Sequence, residues 1–154
     1  MIGTLTESQI SSLFERVLYA HLGCHFDDRI YVVPISFVRK GKVLYGHTTE
    51  GLKVELMRQN PRVCIQVDEV KDLANWESAI IWGDFAEVGG QEEIEAMIDL
   101  IDRYGPIFES IPEADQRGRD MAPPRLDGHS ARHVIYRVDI TDQTGRFESS
   151  DGSL

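Results

Sequence analysis

The chain has 154 residues, 42% hydrophobic and 27% charged, and its 16 basic and 26 acidic residues leave a formal charge of −10. One domain with its own core is the simplest reading of that length. The negative charge repels nucleic acid and anionic membrane at long range, so neither is expected as a partner. No apolar run approaches the roughly 18–20 residues that cross a bilayer. Residues 1–7 carry no basic segment ahead of an apolar core, so we expect no secretory signal and a cytoplasmic location. Cys24 and Cys64 each sit in an apolar, strand-like run, the setting of buried reduced thiols rather than of a disulfide.

Thr6 reads as an N-cap: Gln9, three residues on, completes a capping box, and Leu5 with Ile10 forms a hydrophobic staple. Ile10, Leu13, Phe14 and Val17 then recur at helical spacing and predict a short amphipathic helix over 7–16. Strands follow over 17–26 and 30–38, separated by Asp27-Asp28-Arg29, the composition of a tight hairpin turn. In the second strand Tyr31, Val33, Ile35 and Phe37 share one face, and Pro34 confines it to an edge. Lys40-Gly41-Lys42 turns into a strand over 43–47. A helix over 51–59 stops at Asn60-Pro61, and a strand over 62–68 aims Val63, Ile65 and Val67 at the core.

A polar connection over 69–75 leads to a long strand over 76–88, with Gly83 marking a bend or a close backbone approach. Gly89-Gly90 opens a helix over 91–104 whose buried stripe is Ile94, Met97, Ile98 and Ile101. Residues 105–132, including Met121-Ala-Pro-Pro-Arg125, read as a long loop. A last strand over 133–140 alternates Val134, Tyr136, Val138 and Ile140. Six strands joined mostly by tight turns predict a mainly β fold, an antiparallel sheet or barrel with peripheral helices. We expect a single domain over 1–148 and a flexible tail over 149–154. Regular strand–helix–strand alternation is absent, which argues against a doubly wound parallel sheet.

The densest chemistry lies in Tyr45-Gly-His-Thr-Thr-Glu-Gly-Leu-Lys53, where a strand runs through a hydroxyl-rich turn into a helix start. Helix starts offer unpaired amides and the positive end of the macrodipole. Thr48, Thr49 and Lys53 add two hydroxyls and a cation, which together make a site for one phosphate. A triphosphate loop would need lysine directly after its last glycine, followed by Ser or Thr; here Leu52 intervenes and Val54 follows. The alternative is a plain helix start with a solvated lysine.

His21, Cys24 and His25 suggest a metal, but on a strand His21 and His25 share one face and Cys24 takes the other, so no metal site is expected. Ser36, Ser78, Cys24 and Cys64 could act as nucleophiles, yet none has a nucleophile-elbow setting. Asp127, His129 and His133 could be catalytic or simply surface residues. Trp76-Glu-Ser78 could line a planar ligand or cap the edge of the core.

Five stretches in order, Leu22-Gly-Cys-His25, Tyr31-Val-Val-Pro-Ile-Ser-Phe37, Tyr45 to Lys53, Asn60-Pro-Arg-Val-Cys64 with Val67-Asp68, and Asn75-Trp-Glu-Ser78 with Gly83, resemble one family. It is the pyridoxamine 5′-phosphate oxidase-like family of flavin-binding split barrels, in its small flavin-nucleotide-binding, nitroimidazole-reductase-like branch. The resemblance implies a six-stranded antiparallel split barrel and a homodimer with FMN at the subunit interface. It places Val33, Pro34, Ile35 and Ser36 beside the flavin ring, His47, Thr48, Thr49 and Lys53 at the ribityl phosphate, and Trp76 and Ser78 near the flavin. The C-terminal arginine and histidine pattern of the full oxidase has no match here, so the resemblance does not extend to oxidation of the B6 vitamer.

Three functions follow: a flavin-dependent oxidoreductase passing electrons from a reduced nicotinamide to a small acceptor, a flavin-binding carrier or sensor without turnover, or the same barrel holding haem or a deazaflavin. The strand over 76–88 supports the dimer independently of the family. Ile80, Trp82, Ala86 and Val88 fall on one face and Ala79, Ile81 and Phe85 on the other, and a barrel wall needs only one apolar face, so a two-fold partner is expected over the second.

Overall fold

Alternation along the strands sets the architecture. Residues 1–111 and 133–152 of the chain are described by a computed structural model; the segment Met121-Ala-Pro-Pro-Arg125 and the candidates Asp127 and His129 lie outside the described residues. Eleven elements follow one another: β1 (Ile2–Thr4), α1 (Glu7–Arg16), β2 (Ala20–Phe26), β3 (Arg29–Ile35), β4 (Phe37–Lys40), β5 (Val43–Thr49), α2 (Leu52–Gln59), β6 (Arg62–Asp72), β7 (Asn75–Glu87), α3 (Gly90–Glu109) and β8 (His133–Glu148). The strands form one sheet in the order β3-β2-β6-β7-β8-β5-β4, with β1 added on β8, and each pairing is antiparallel.

The two ends of that order, β3 and β4, are consecutive in the chain and separated only by Ser36. The sheet therefore curls round until its edges meet through the main chain, with no ladder between them: a split barrel. The single strand expected over 30–38 is thus two strands on opposite edges. With β1, which is too short to show a periodicity, this raises the count from the expected six to eight while the mainly β antiparallel class holds. Pro34 lies on edge strand β3, which pairs only with β2, so its missing N–H leaves no ladder bond unmade.

Side chains that alternate inward fill the barrel. Leu22, Ile35, Phe37, Leu44, Ile65, Ile81, Tyr136 and Val138 are at most 1% exposed, and Leu13 and Phe14 of α1 plug one end. The capping box forms as expected: the Gln9 amide donates to Thr6 Oγ1 at 3.3 Å and the Thr6 amide to Gln9 Oε1 at 2.8 Å. Gly83 is a close approach, because a Cβ there would overlap the carbonyl of Asp139, and the β7–β8 register shifts between Trp82 and Gly83.

Four expectations along the chain are corrected. β6 runs on to Asp72 and β7 begins at Asn75, so the connection expected over 69–75 is mostly ladder, and β8 runs past Ile140 to Glu148 because it pairs with β7 along that length. The other two concern α3. First, α3 runs on to Glu109 through Gly105 and Pro106, because Ile107 and Phe108 pack against the small cluster of Ala96, Leu100, Tyr104 and Ile135 and hold the last turn in place. Second, its buried stripe is Ala96, Leu100 and Tyr104, whereas Ile94 and Ile98 are 52% and 50% exposed.

Tyr104 decides which face turns inward. Its hydroxyl accepts from the amide of Phe37 at 2.9 Å and lies 2.8 Å from the carbonyls of Phe37 and Leu18, donating to one of them. It thereby serves main-chain groups that the split leaves without a ladder partner. Beside it, Arg103 stacks on Phe37 and donates to the carbonyls of Phe14 and Val17 at the C-terminus of α1. Ser149 is buried, and its amide donates to the carbonyl of Met1 at 2.9 Å. No described helix is long and apolar enough to cross a membrane.

Candidate functional site

The end of β5 is where the chemistry gathers. A cavity of about 440 Å³ opens there, lined by Val33 and Pro34 from β3, Thr48 and Thr49 from β5, Gly51 of the turn, Lys53 from α2 and Phe108 from α3. The barrel brings these together because β3 and β5 flank the split, while α2 leaves the sheet directly after Thr49 and Glu50.

The α2 start opens directly on this cavity. Gly51, its N-cap, is extended at φ 172° and supplies no side-chain cap, and the first helical bond runs from the Glu55 amide to the Gly51 carbonyl at 3.1 Å. The N-cap residue thus offers the amides of the first turn no side-chain acceptor of its own, and helix starts are where anions commonly bind. Thr49 and Lys53 stand half-buried at the wall. Thr48 is fully buried and donates its hydroxyl to the carbonyl of Thr49 at 3.3 Å, so it shapes the turn from inside the barrel.

Glu50 beside the cavity would oppose an anion, but Arg58 holds its carboxylate through two bonds of 2.9 and 2.7 Å. Arg58 also grips Glu87 at 3.0 and 2.6 Å, and these bonds draw the Glu87 carboxyl below its usual range. The Lys53 charge also reaches Cys24, whose thiol is pushed up by burial and partly pulled back by that ammonium.

Other expected site residues lie elsewhere. Ile35 belongs to the core, and Ser36 is buried at the bend across the split. His47 is 3% exposed, and its ring meets that of His133 edge to edge. Trp76 and Ser78 stand on the outer face of β7 and do not line this cavity: Trp76 donates its indole N–H to Glu148 at 3.1 Å and Ser78 accepts from Gln66 at 3.2 Å. Trp76 instead borders a larger groove, about 710 Å³, walled by Glu69, Asp72, Glu77, Glu148 and Asp151. Arg16 and Lys71 also line it, but Arg16 is engaged by Glu69 and Glu77, and the five carboxylates outnumber the two cations, which disfavours a phosphate there.

Sequence reading missed Phe108, hidden by the Gly105-Pro106 stop signal, and Tyr31, whose inward spacing was visible but whose place at the cavity was not. Cys24 faces the core and His21 and His25 the outside, as strand alternation requires. Among the described residues no three metal-ligating side chains converge.

An antiparallel split barrel with a cavity at the turn between β5 and α2 defines the class. Residues 6–147 match the family described as pyridoxamine 5′-phosphate oxidase, and the chain belongs to that family. An uncharacterised protein of Rhizobium meliloti is 28% identical over 127 residues, covering 82% of each chain. Among solved structures, a FAD-binding protein of Mesorhizobium loti superposes with a TM-score of 0.73 at 24% identity, over 97% of this chain and 98% of its own. A candidate 5-nitroimidazole antibiotic resistance protein of Bacteroides thetaiotaomicron superposes at 0.68 and 20% identity, over 96% and 89%.

Proposed function

We propose that the chain binds FMN, with the flavin phosphate at the start of α2, and serves as an oxidoreductase passing electrons from a reduced nicotinamide to a small acceptor. The observation that carries the reading is the meeting of uncapped helix amides, Thr49 and Lys53 in one cavity beside Val33 and Pro34. These groups suit a phosphate monoester: the amides and the threonine hydroxyl donate, and the ammonium neutralises charge. One phosphate is what a single lysine and a single helix start can serve, which favours FMN; the FAD-binding Mesorhizobium loti relative makes FAD the other flavin to look for. A bound flavin would supply the hydride and electron chemistry, which accounts for a cavity wall without an acid–base pair. The protein's own part is to hold the phosphate, to set Val33 and Pro34 against the ring, and to keep Glu50 compensated by Arg58.

The functional unit in this reading is a homodimer. Ile80 and Trp82 stand half-buried on the outer face of β7, and Val32 and Ile30 farther along that face of the sheet are 61% and 76% exposed. A two-fold partner would cover this surface, and each chain's Trp76 and Ser78 would then serve the other's flavin.

The absorption spectrum of the purified protein tests the cofactor. Flavin bands, with FMN recovered after denaturation, are expected. A haem Soret band or a colourless protein that ignores added FMN and FAD would overturn the reading. Bleaching of the flavin by NADH or NADPH separates an oxidoreductase from a flavin-binding module.

A further inference from the structure

The strand that ends in the phosphate turn is gripped from behind by a histidine far away in sequence. In the β5–β8 ladder His47 lies opposite Ile135, Thr48 opposite Val134 and Thr49 opposite His133. His47 and His133 are therefore diagonal neighbours on the outer face, within reach for rings of that size. Their rings meet edge to edge, with centroids 4.7 Å apart and planes 27° from parallel, and His47 Nε2 lies 2.5 Å from His133 Nδ1. One of these nitrogens must carry a proton and the other must accept it, so the contact fixes both tautomers as a pair. α3 covers this face, with Ile135 packed in its cluster and Phe108 at the cavity wall.

The turn is thus held on two sides. Inside the barrel, fully buried Thr48 bonds the carbonyl of Thr49; outside, the imidazole pair ties residue 47 to the first residue of β8. The Thr49–His133 pair is the last rung of the β5–β8 ladder, so the imidazole contact lies at the point where the strand leaves the sheet.

Resting on the phosphate-site reading above, we propose that His133 is a positioning residue for that site: acting through His47, it sets the orientation of Thr48 and Thr49 and hence of the donors that meet the phosphate. His133 does not line the cavity, and its effect reaches the ligand only through its partner ring.

The test is a double-mutant cycle read in FMN affinity, by quenching of flavin fluorescence, with thermal stability measured alongside. His133→Ala should weaken FMN binding about tenfold, the order of one ordering hydrogen bond. His133→Asn, which keeps a polar atom near the position of Nδ1, should recover most of that loss. In a His47→Ala background, His133→Ala should have no further effect. Wild-type affinity in His133→Ala, no recovery in His133→Asn, or losses that simply add would overturn the proposal. A weakening that follows the melting temperature across all three variants would do the same, since it would mark a purely structural pair. Lys53→Ala separates the two readings: if it and His133→Ala both leave FMN affinity unchanged, the phosphate site itself is misplaced, whereas a loss in Lys53→Ala alone removes only the role of His133.

Discussion

Two buried tyrosines should respond with opposite sign to loss of the same atom. Tyr104 and Tyr136 are 4% and 0% exposed, and burial raises the pKa of both phenols, so both stay protonated far above neutral pH. The Tyr104 hydroxyl accepts from the amide of fully buried Phe37 and donates to the carbonyl of Phe37 or of Leu18. In Tyr104→Phe that amide keeps its burial and loses its acceptor, which costs about 1–3 kcal/mol. At about 2–4 °C per kcal/mol for a domain of this size, a loss in the middle of that range lowers the melting temperature by roughly 4–8 °C. The Tyr136 hydroxyl has no hydrogen-bond partner among the described residues and presses on Gly46, where a Cβ would overlap it. Tyr136→Phe removes a desolvated dipole without stranding another group, so stability should hold or rise by about 1 kcal/mol. Urea unfolding of the two variants beside the wild type decides the matter. A Tyr136→Phe protein weakened as much as Tyr104→Phe would refute the reasoning and reveal a buried water bonded to Tyr136.

Four further outcomes are expected. Lys53→Ala should weaken FMN binding by about one to two decades, the range of a charge-assisted bond worth roughly 1.5–3 kcal/mol, and isothermal titration with an unchanged circular-dichroism spectrum checks it. Gly83→Ala should destabilise the fold by about 1–3 kcal/mol, because the new methyl meets the backbone of Asp139 rather than a movable side chain; urea unfolding measures the loss. Cys24 faces the core and its thiol is raised by burial, so iodoacetamide on the native protein should leave it unmodified until denaturant is added, as peptide mass mapping would record. The net charge of −10 repels a phosphate dianion at long range while the site's donors act at contact, so the FMN association rate should rise between about 0.01 and 0.15 M salt as the Debye length shrinks from about 30 to 8 Å. A rate that falls in stopped flow would show that a local positive field steers the ligand.

Where one face of an element was apolar, the sequence told which way it points. Val63, Ile65 and Val67 of β6 face inward as their alternation predicts, whereas β7 is apolar on both faces and only the fold shows that Ala79, Ile81 and Phe85 are the inward set. The capping box placed the start of α1 to the residue. α3 was harder because it carries two apolar stripes at helical spacing, Ile94-Met97-Ile98-Ile101 and Ala96-Leu100-Tyr104. Periodicity cannot rank them. The choice falls to contacts outside the helix: Ala96 allows close approach to the sheet, and the Tyr104 hydroxyl satisfies the main chain at the split. The break at Ser36 was equally silent, since no glycine or proline marks it and the residues on both sides are as buried as a continuous core strand would be.

The site divides along the same line. Gly46 to Lys53 is one continuous segment, so its turn and helix start could be read locally, and the fold places Thr48, Thr49 and Lys53 at one cavity. Val33 and Pro34 reach that cavity only because the sheet curls until β3 stands near β5, a property of the whole strand order rather than of any local stretch. The same dependence hides the pairing of His133, a candidate by residue type alone, with His47: they lie 86 residues apart, and only the β5–β8 register makes them neighbours. The net charge of −10 opposes an anionic ligand at long range, whereas the charges around this cavity are balanced locally. Arg58 takes up the carboxylates of Glu50 and Glu87, so the acidic character of the surface is compensated at the one turn where uncapped amides and Lys53 meet.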